Sequence, residues 1–136
     1  MYSLVVFHDQ REMSKKILFI YNANSDTSSK MLDFAHKIVS PATYNCKLCS
    51  LTFGNFTENK QWKTFRESLL AKGYELEFYH KDEFQKTYKG KFVHKYTYPI
   101  ILVETEHDLE VLVSTDQLNA METVEELISS VGSFSR

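Results

Sequence analysis

The sequence predicts one α/β domain, a mixed sheet of about four strands with helices flanking it in three layers. Two observations carry this. Short β-rich apolar runs stand at 16–22, 99–103 and 109–113, and the segments between them repeat apolar residues at steps of three and four. Composition agrees: 136 residues with 43% hydrophobic and 25% charged side chains suit an ordinary globular domain large enough to bury a core.

In chain order, Lys16 to Asn22 reads as a buried strand, and Asn22-Ala23-Asn24-Ser25-Asp26 as the polar turn after it. Residues 1–12 read as an N-terminal extension in which Ser3 to Phe7 would at most add an edge strand, and 13–136 as the domain. Met31, Phe34, Ala35 and Ile38 recur at helical spacing up to Ser40-Pro41, where a proline both stops one helix and suits the first position of another. That second helix is expected to run to Gly54, with Ala42, Cys46, Cys49 and Phe53 on one face. A third helix is expected from Glu58 to Lys72, capped by Thr57, striped by Trp62, Phe65 and Leu69, and closed by Gly73.

Tyr74 to His80 alternates Leu76, Phe78 and His80 against Glu75, Glu77 and Tyr79, the pattern of a half-buried strand. Asp82 would cap a short helix to Tyr88. Pro99 to Val103 and Leu109 to Val113, joined by the polar stretch Glu104 to Asp108, predict an antiparallel hairpin. A helical turn is expected over Asp116 to Met121. A final helix should start at Thr123, in a capping box with Glu126, and bury Val124, Leu127, Ile128 and Val131.

The formal charge is −2, from 16 basic and 18 acidic side chains, so no global field draws in a polyanion and nucleic acid is not an expected partner. The longest apolar run falls far short of the roughly 20 residues a bilayer requires, so no membrane association is expected and the location read from the sequence is cytoplasmic. A reducing compartment favours thiols, metal ligands or a redox pair over a permanent cross-link.

The two cysteines stand as Cys46-x-x-Cys49. Such a pair can close a disulfide, ligate a metal or pack as two small core side chains. As catalytic residues, Cys46 and Cys49 would serve thiol-disulfide exchange, with accessible thiols and Cys46 the nucleophile. As ligands, His36, Cys46 and Cys49, completed by His80 or Asp82, would form a tetrahedral zinc site; zinc is the one cofactor these residues suggest. The commonest use of cysteines on an apolar helix face is packing. His80, Asp82 and Glu83 at a strand end form a possible acid-base group, or simply the start of a helix. Lys86, Lys89, Lys91 and Lys95 interleave with Tyr88, Phe92, Tyr96 and Tyr98, either a stacking surface or a solvated loop whose rings turn inward. His8 and His107 have no evident companions.

The order strand, helices, strand, helix, hairpin, helix, together with Tyr98-Pro99 before a β-rich run, resembles the thioredoxin-like fold over Lys16 to Val131. That resemblance implies a cis peptide before Pro99 and a thiol-disulfide role for Cys46 and Cys49. One departure stands out: redox-active members carry Cys-x-x-Cys directly after the first strand, at a helix N-terminus, whereas here Asn22 to Asp26 hold that place and the pair comes a helix later. The chain also resembles a small family of uncharacterised bacterial proteins that share His-Lys-x-x-Ser-Pro-x-Thr-Tyr-x-Cys-x-Leu-Cys, here His36 to Cys49, and a later His-x-Asp-Glu-Phe, here His80 to Phe84. A GTPase label attached to such sequences finds no P-loop among the four glycines. The competing expectation is a non-catalytic domain that binds another protein, a small molecule or a second copy of itself through its aromatic surface.

Overall fold

The computed structural model describes residues 16–24, 46–53, 57–88, 96–106 and 108–134. The expectations for residues 1–12, for the helix containing Met31 to Ile38 and for Gly54 lie outside these. The described elements are β1 (Lys16–Tyr21), α1 (Lys47–Thr52), α2 (Lys60–Ala71), β2 (Glu75–His80), α3 (Lys81–Thr87), β3 (Ile100–Glu104), β4 (Leu109–Val113), α4 (Thr115–Ala120) and α5 (Val124–Phe134). None of these helices is long and apolar enough to cross a membrane.

The sheet is mixed and its order is β2-β1-β3-β4. β1 pairs in parallel with β2, setting Tyr21 opposite His80, and antiparallel with β3, setting Ile20 opposite Ile100. β3 and β4 form the expected antiparallel hairpin, with an irregularity between Ile101 and Leu102. The peptide between Tyr98 and Pro99 is cis, as the resemblance implied.

β1 is buried on both faces because its side chains alternate between two cores. Ile17 and Phe19 join Leu48, Leu51, Trp62, Leu69, Leu118, Leu127 and Val131 from α1, α2, α4 and α5. Leu18 and Ile20 join Phe84 and Tyr88, at and just beyond α3, with Ile100 and Leu102. The sheet is thus the middle of three layers. Phe19 anchors the larger core, meeting Trp62 edge-on at 5.5 Å and stacking on Phe78 at 4.8 Å.

Helix starts moved where the sequence offered several caps. Asn59, not Thr57, caps α2, its side chain accepting from the Trp62 N–H at 2.9 Å. His80 holds the cap position of α3 and Asp82 falls within its first turn, because the Glu83 carboxylate folds back onto the His80 N–H at 3.0 Å. At α5, Thr123 accepts from the Glu126 N–H as expected, but the Glu126 carboxylate accepts from Glu122 rather than Thr123. Gly73 follows α2 with φ 97°, the left-handed conformation that lets the chain turn directly into β2.

Two substitutions probe this framework by chemical denaturation. Phe84→Ala removes the one fully buried side chain that α3 gives to the smaller core, and should cost about 3–5 kcal/mol. Gly73→Ala, forced to positive φ, should cost about 1 kcal/mol.

Candidate functional site

Cys46 and Cys49 are joined as a disulfide with Cα atoms 5.3 Å apart. The expected continuous helix through Ala42, Cys46, Cys49 and Phe53 is not what forms. Cys46 is extended (φ −140°) and caps α1, which begins at Lys47; Phe53 lies beyond its end, extended and 45% exposed, in a bridge with Glu58. Ala42 lies outside the described residues. The physical reason is local: Cys46 in an extended conformation places its Sγ to accept the Cys49 N–H, one of the orphan donors at the start of α1.

The Cys46 Sγ receives two backbone donors, the Cys49 N–H at 3.2 Å and the Asn22 N–H at 3.4 Å. Asn22 is the residue immediately after β1. A separation of 24 residues along the chain therefore collapses, and the pair stands at the C-terminal end of the central strand and the start of a helix. Both cysteines belong to the larger core and are nearly buried, 4% and 7% exposed, so the expectation of accessible thiols is corrected and that of core packing is met in part. A disulfide spanning a separation of three constrains the unfolded chain by about 2 kcal/mol in the loop-entropy account. That is about as much as burying one core side chain, and less than a disulfide closing a long loop would contribute.

Other groups converge on the same sheet end. Parallel pairing puts His80 beside Tyr21, with rings 6.3 Å apart, on the face of Phe19 and the disulfide. His80 Nδ1 lies 2.9 Å from the Glu83 carboxylate. Bonds from the His80 backbone and then its side chain hold the Glu83 carboxyl below the usual range. The Lys81 ammonium donates to Asn22 Oδ1 at 3.0 Å, and its N–H to the Ala23 carbonyl, so the turn after β1 is fixed from β2's end. Continuing the β1–β3 register sets the buried Pro99 beside Tyr21.

His36 lies outside the described residues, and so do His8, His107, Lys89, Lys91, Phe92 and Lys95. Among the described residues no three His, Cys, Asp or Glu side chains are grouped as metal ligands would be. His80, Asp82 and Glu83 are accounted for as the start of α3, with the Asp82 carboxylate accepting the Glu83 N–H at 2.9 Å. Beside them a shallow groove of about 420 Å³ is lined by Phe78, Tyr79, Asp82, Glu83, Lys86 and Thr87. Tyr88, Tyr96 and Tyr98 turn inward against the smaller core.

One polar cluster escaped the sequence reading because its members come from four separate elements. On the face of the smaller core, Lys16 lies between Glu77 at 3.3 Å and Glu104 at 3.5 Å, while the Tyr79 hydroxyl donates to Glu77 and the Tyr88 hydroxyl to Glu104. Only the alternation of three strands, aligned in register, could have revealed it. Burial opposes the Lys16 charge, but the bond to Glu77 and the field of Glu104 more than offset it, so its pKa is raised. Burial, then the Glu104 charge, pushes the Tyr88 phenol far up; burial, then the Glu77 bond, raises Tyr79.

No protein-family model, curated protein or solved structure matches the chain.

The tyrosine shifts set an alkaline prediction. A phenol whose folded pKa is raised contributes stability that is present below its unfolded value, about 10, and is lost as pH rises toward the folded value. In an ultraviolet titration Tyr79 and Tyr88 should ionise after the exposed tyrosines, or together with unfolding. Tyr88→Phe should cost about 1 kcal/mol at neutral pH, the difference from the parent shrinking above pH ~10.

Proposed function

We propose that the chain is a thiol-disulfide exchange protein of thioredoxin-like architecture, with Cys46 and Cys49 as its redox pair. The observation that carries this reading is the Cys46 Sγ held by the N–H groups of Asn22 and Cys49, at the end of the first strand and the start of a helix. The departure noted in the sequence, a pair one helix late in the chain, is compatible with this reading, because the fold brings Cys46 back to the residue that follows β1. The element order from strand to final helix, with helices on both sheet faces, supports the same architecture.

The chemistry follows from the two donors. In the reduced pair they favour a thiolate at Cys46, the attacking species. That thiolate attacks one sulfur of a substrate disulfide, whose S–S bond breaks as the released thiolate takes a proton from water. Cys49, losing its own proton, then attacks the Cys46 sulfur, expels the second substrate thiolate and closes the internal disulfide. Two electrons pass to the substrate, and an external dithiol restores the reduced pair. Such a cycle suits the cytoplasm of a bacterial cell. Because both sulfurs are nearly buried, small disulfides are the natural first substrates.

The test is a titration in glutathione redox buffers, read by mass-tagged alkylation. Both thiols should appear and disappear together without loss of fold. Cys49→Ser should accumulate a glutathione mixed disulfide at Cys46 about tenfold faster than Cys46→Ser does at Cys49. Sulfurs that exchange only on unfolding would leave the core reading and the binding-domain alternative. Thiols protected by added zinc until chelation would favour the zinc site with His36.

A further inference from the structure

β2 is an edge strand, and among the described residues no strand pairs with its outer side. Such an edge presents a row of backbone donors and acceptors ready to pair, and proteins that keep edges apart usually blunt them. The opposite edge, β4, is blunted by the irregularity in its pairing with β3. β2 pairs with β1 in an unbroken register over all six residues. At its centre Phe78 is 40% exposed, although its ring is already fixed by stacking on Phe19.

We propose that this edge pairs with the β2 of a second copy of the chain, antiparallel about a two-fold axis through Phe78, making one continuous sheet. The side-chain pattern selects both the partner and the register. A two-fold axis perpendicular to the sheet keeps each face on its own side, so the axis must pass through a residue. Centred on Phe78, the two exposed rings face each other, Leu76 falls opposite His80, and Tyr79 opposite Glu77. Just past the strand end, Glu75 of each copy stands level with Lys81 of the other, opposite charges on both sides of the axis. Lys81 already gives one bond to Asn22 Oδ1 and retains further ammonium donors. Centring on Glu77 instead sets two carboxylates face to face, and centring on Tyr79 sets Glu75 level with Glu83. The Tyr79 register also faces ring with ring and sets Glu77 level with Lys81, but it brings Glu75 level with Glu83; the Phe78 register pairs ring with ring and acid with base while setting no two acids level.

A single strand pair buries less than the roughly 1,200 Å² of a standard stable interface, so the dimer should be weak and concentration-dependent. Sedimentation equilibrium of the full chain from micromolar to millimolar concentration tests it. A reversible monomer-dimer equilibrium is expected. Phe78→Lys, which sets two cations face to face, should raise the dissociation constant about tenfold or more. Glu75→Lys, at an exposed position outside the core, should raise it about threefold through like charges level with Lys81. Val111→Lys on the β4 edge should leave it unchanged. Circular dichroism melting checks that each variant folds. A protein that is monomeric throughout, an unchanged dimer in both β2 variants, or a dimer broken by Val111→Lys would each overturn the proposal. None of these readouts depends on the thiol chemistry.

Discussion

Everything in this fold hangs on the two-sided burial of β1. Ile17, Leu18, Phe19 and Ile20 are completely inaccessible, alternate residues feed opposite cores, and the strand is hydrogen-bonded along both edges. Burial of one such side chain is worth about 1.5–3 kcal/mol, so these four residues outweigh any single polar contact described. They also fix geometry, because a strand held on four sides leaves no freedom at its end. Asn22, immediately beyond it, is therefore a rigid place from which to aim an N–H at a sulfur.

That constraint explains why the larger core and the candidate site are one structure. Phe19 and Ile17 face the same helices that present Leu48, Cys49 and Leu51. The disulfide belongs to this packing at the end of the strand. The Lys81 bond to Asn22 and the Lys81 N–H bond to Ala23 bring β2 and α3 into the same arrangement from the other side. A displacement of α1 would carry the Cys46–Cys49 cap with it but would have to break the Asn22 contact to Cys46 Sγ.

The strands were legible because their signals are local. The apolar runs at 16–22, 99–103 and 109–113 need no tertiary context, and the alternation of Leu76, Phe78 and His80 read correctly as one face of β2. Helix α2 was legible through the stripe of Trp62, Phe65 and Leu69 and through Gly73. The caps were not. Thr57 or Asn59 and Asp82 or His80 are locally comparable choices, and the cap that Cys46 forms for α1 carried no periodic signal; backbone geometry that periodicity does not carry decides them. The largest misreading concerned the cysteines. Steps of three and four through Ala42, Cys46, Cys49 and Phe53 fit a helix face, but a cap followed by i+3 generates the same spacing. Pairing across strands, which assembles Lys16, Glu77, Tyr79, Tyr88 and Glu104, required a register that sequence alone leaves open.

The choice of sulfur at the cap bears on what the site is for. Serine or threonine caps a helix by the same geometry, so capping α1 does not explain Cys46. Cross-linking accounts for about 2 kcal/mol of constraint on the unfolded chain, which a pair closing a longer loop would exceed. Packing could use two cysteines, but it gives no reason for two N–H groups to converge on one of them. The thiolate of the proposed exchange chemistry would supply that reason. The donors that satisfy a neutral sulfur weakly satisfy an anionic one strongly, so the same two contacts that hold the oxidised pair in place would stabilise Cys46 when the bond opens. Under the proposed exchange the start of α1 would stay capped in both redox states, and the chemistry would not unmake the helix that carries it.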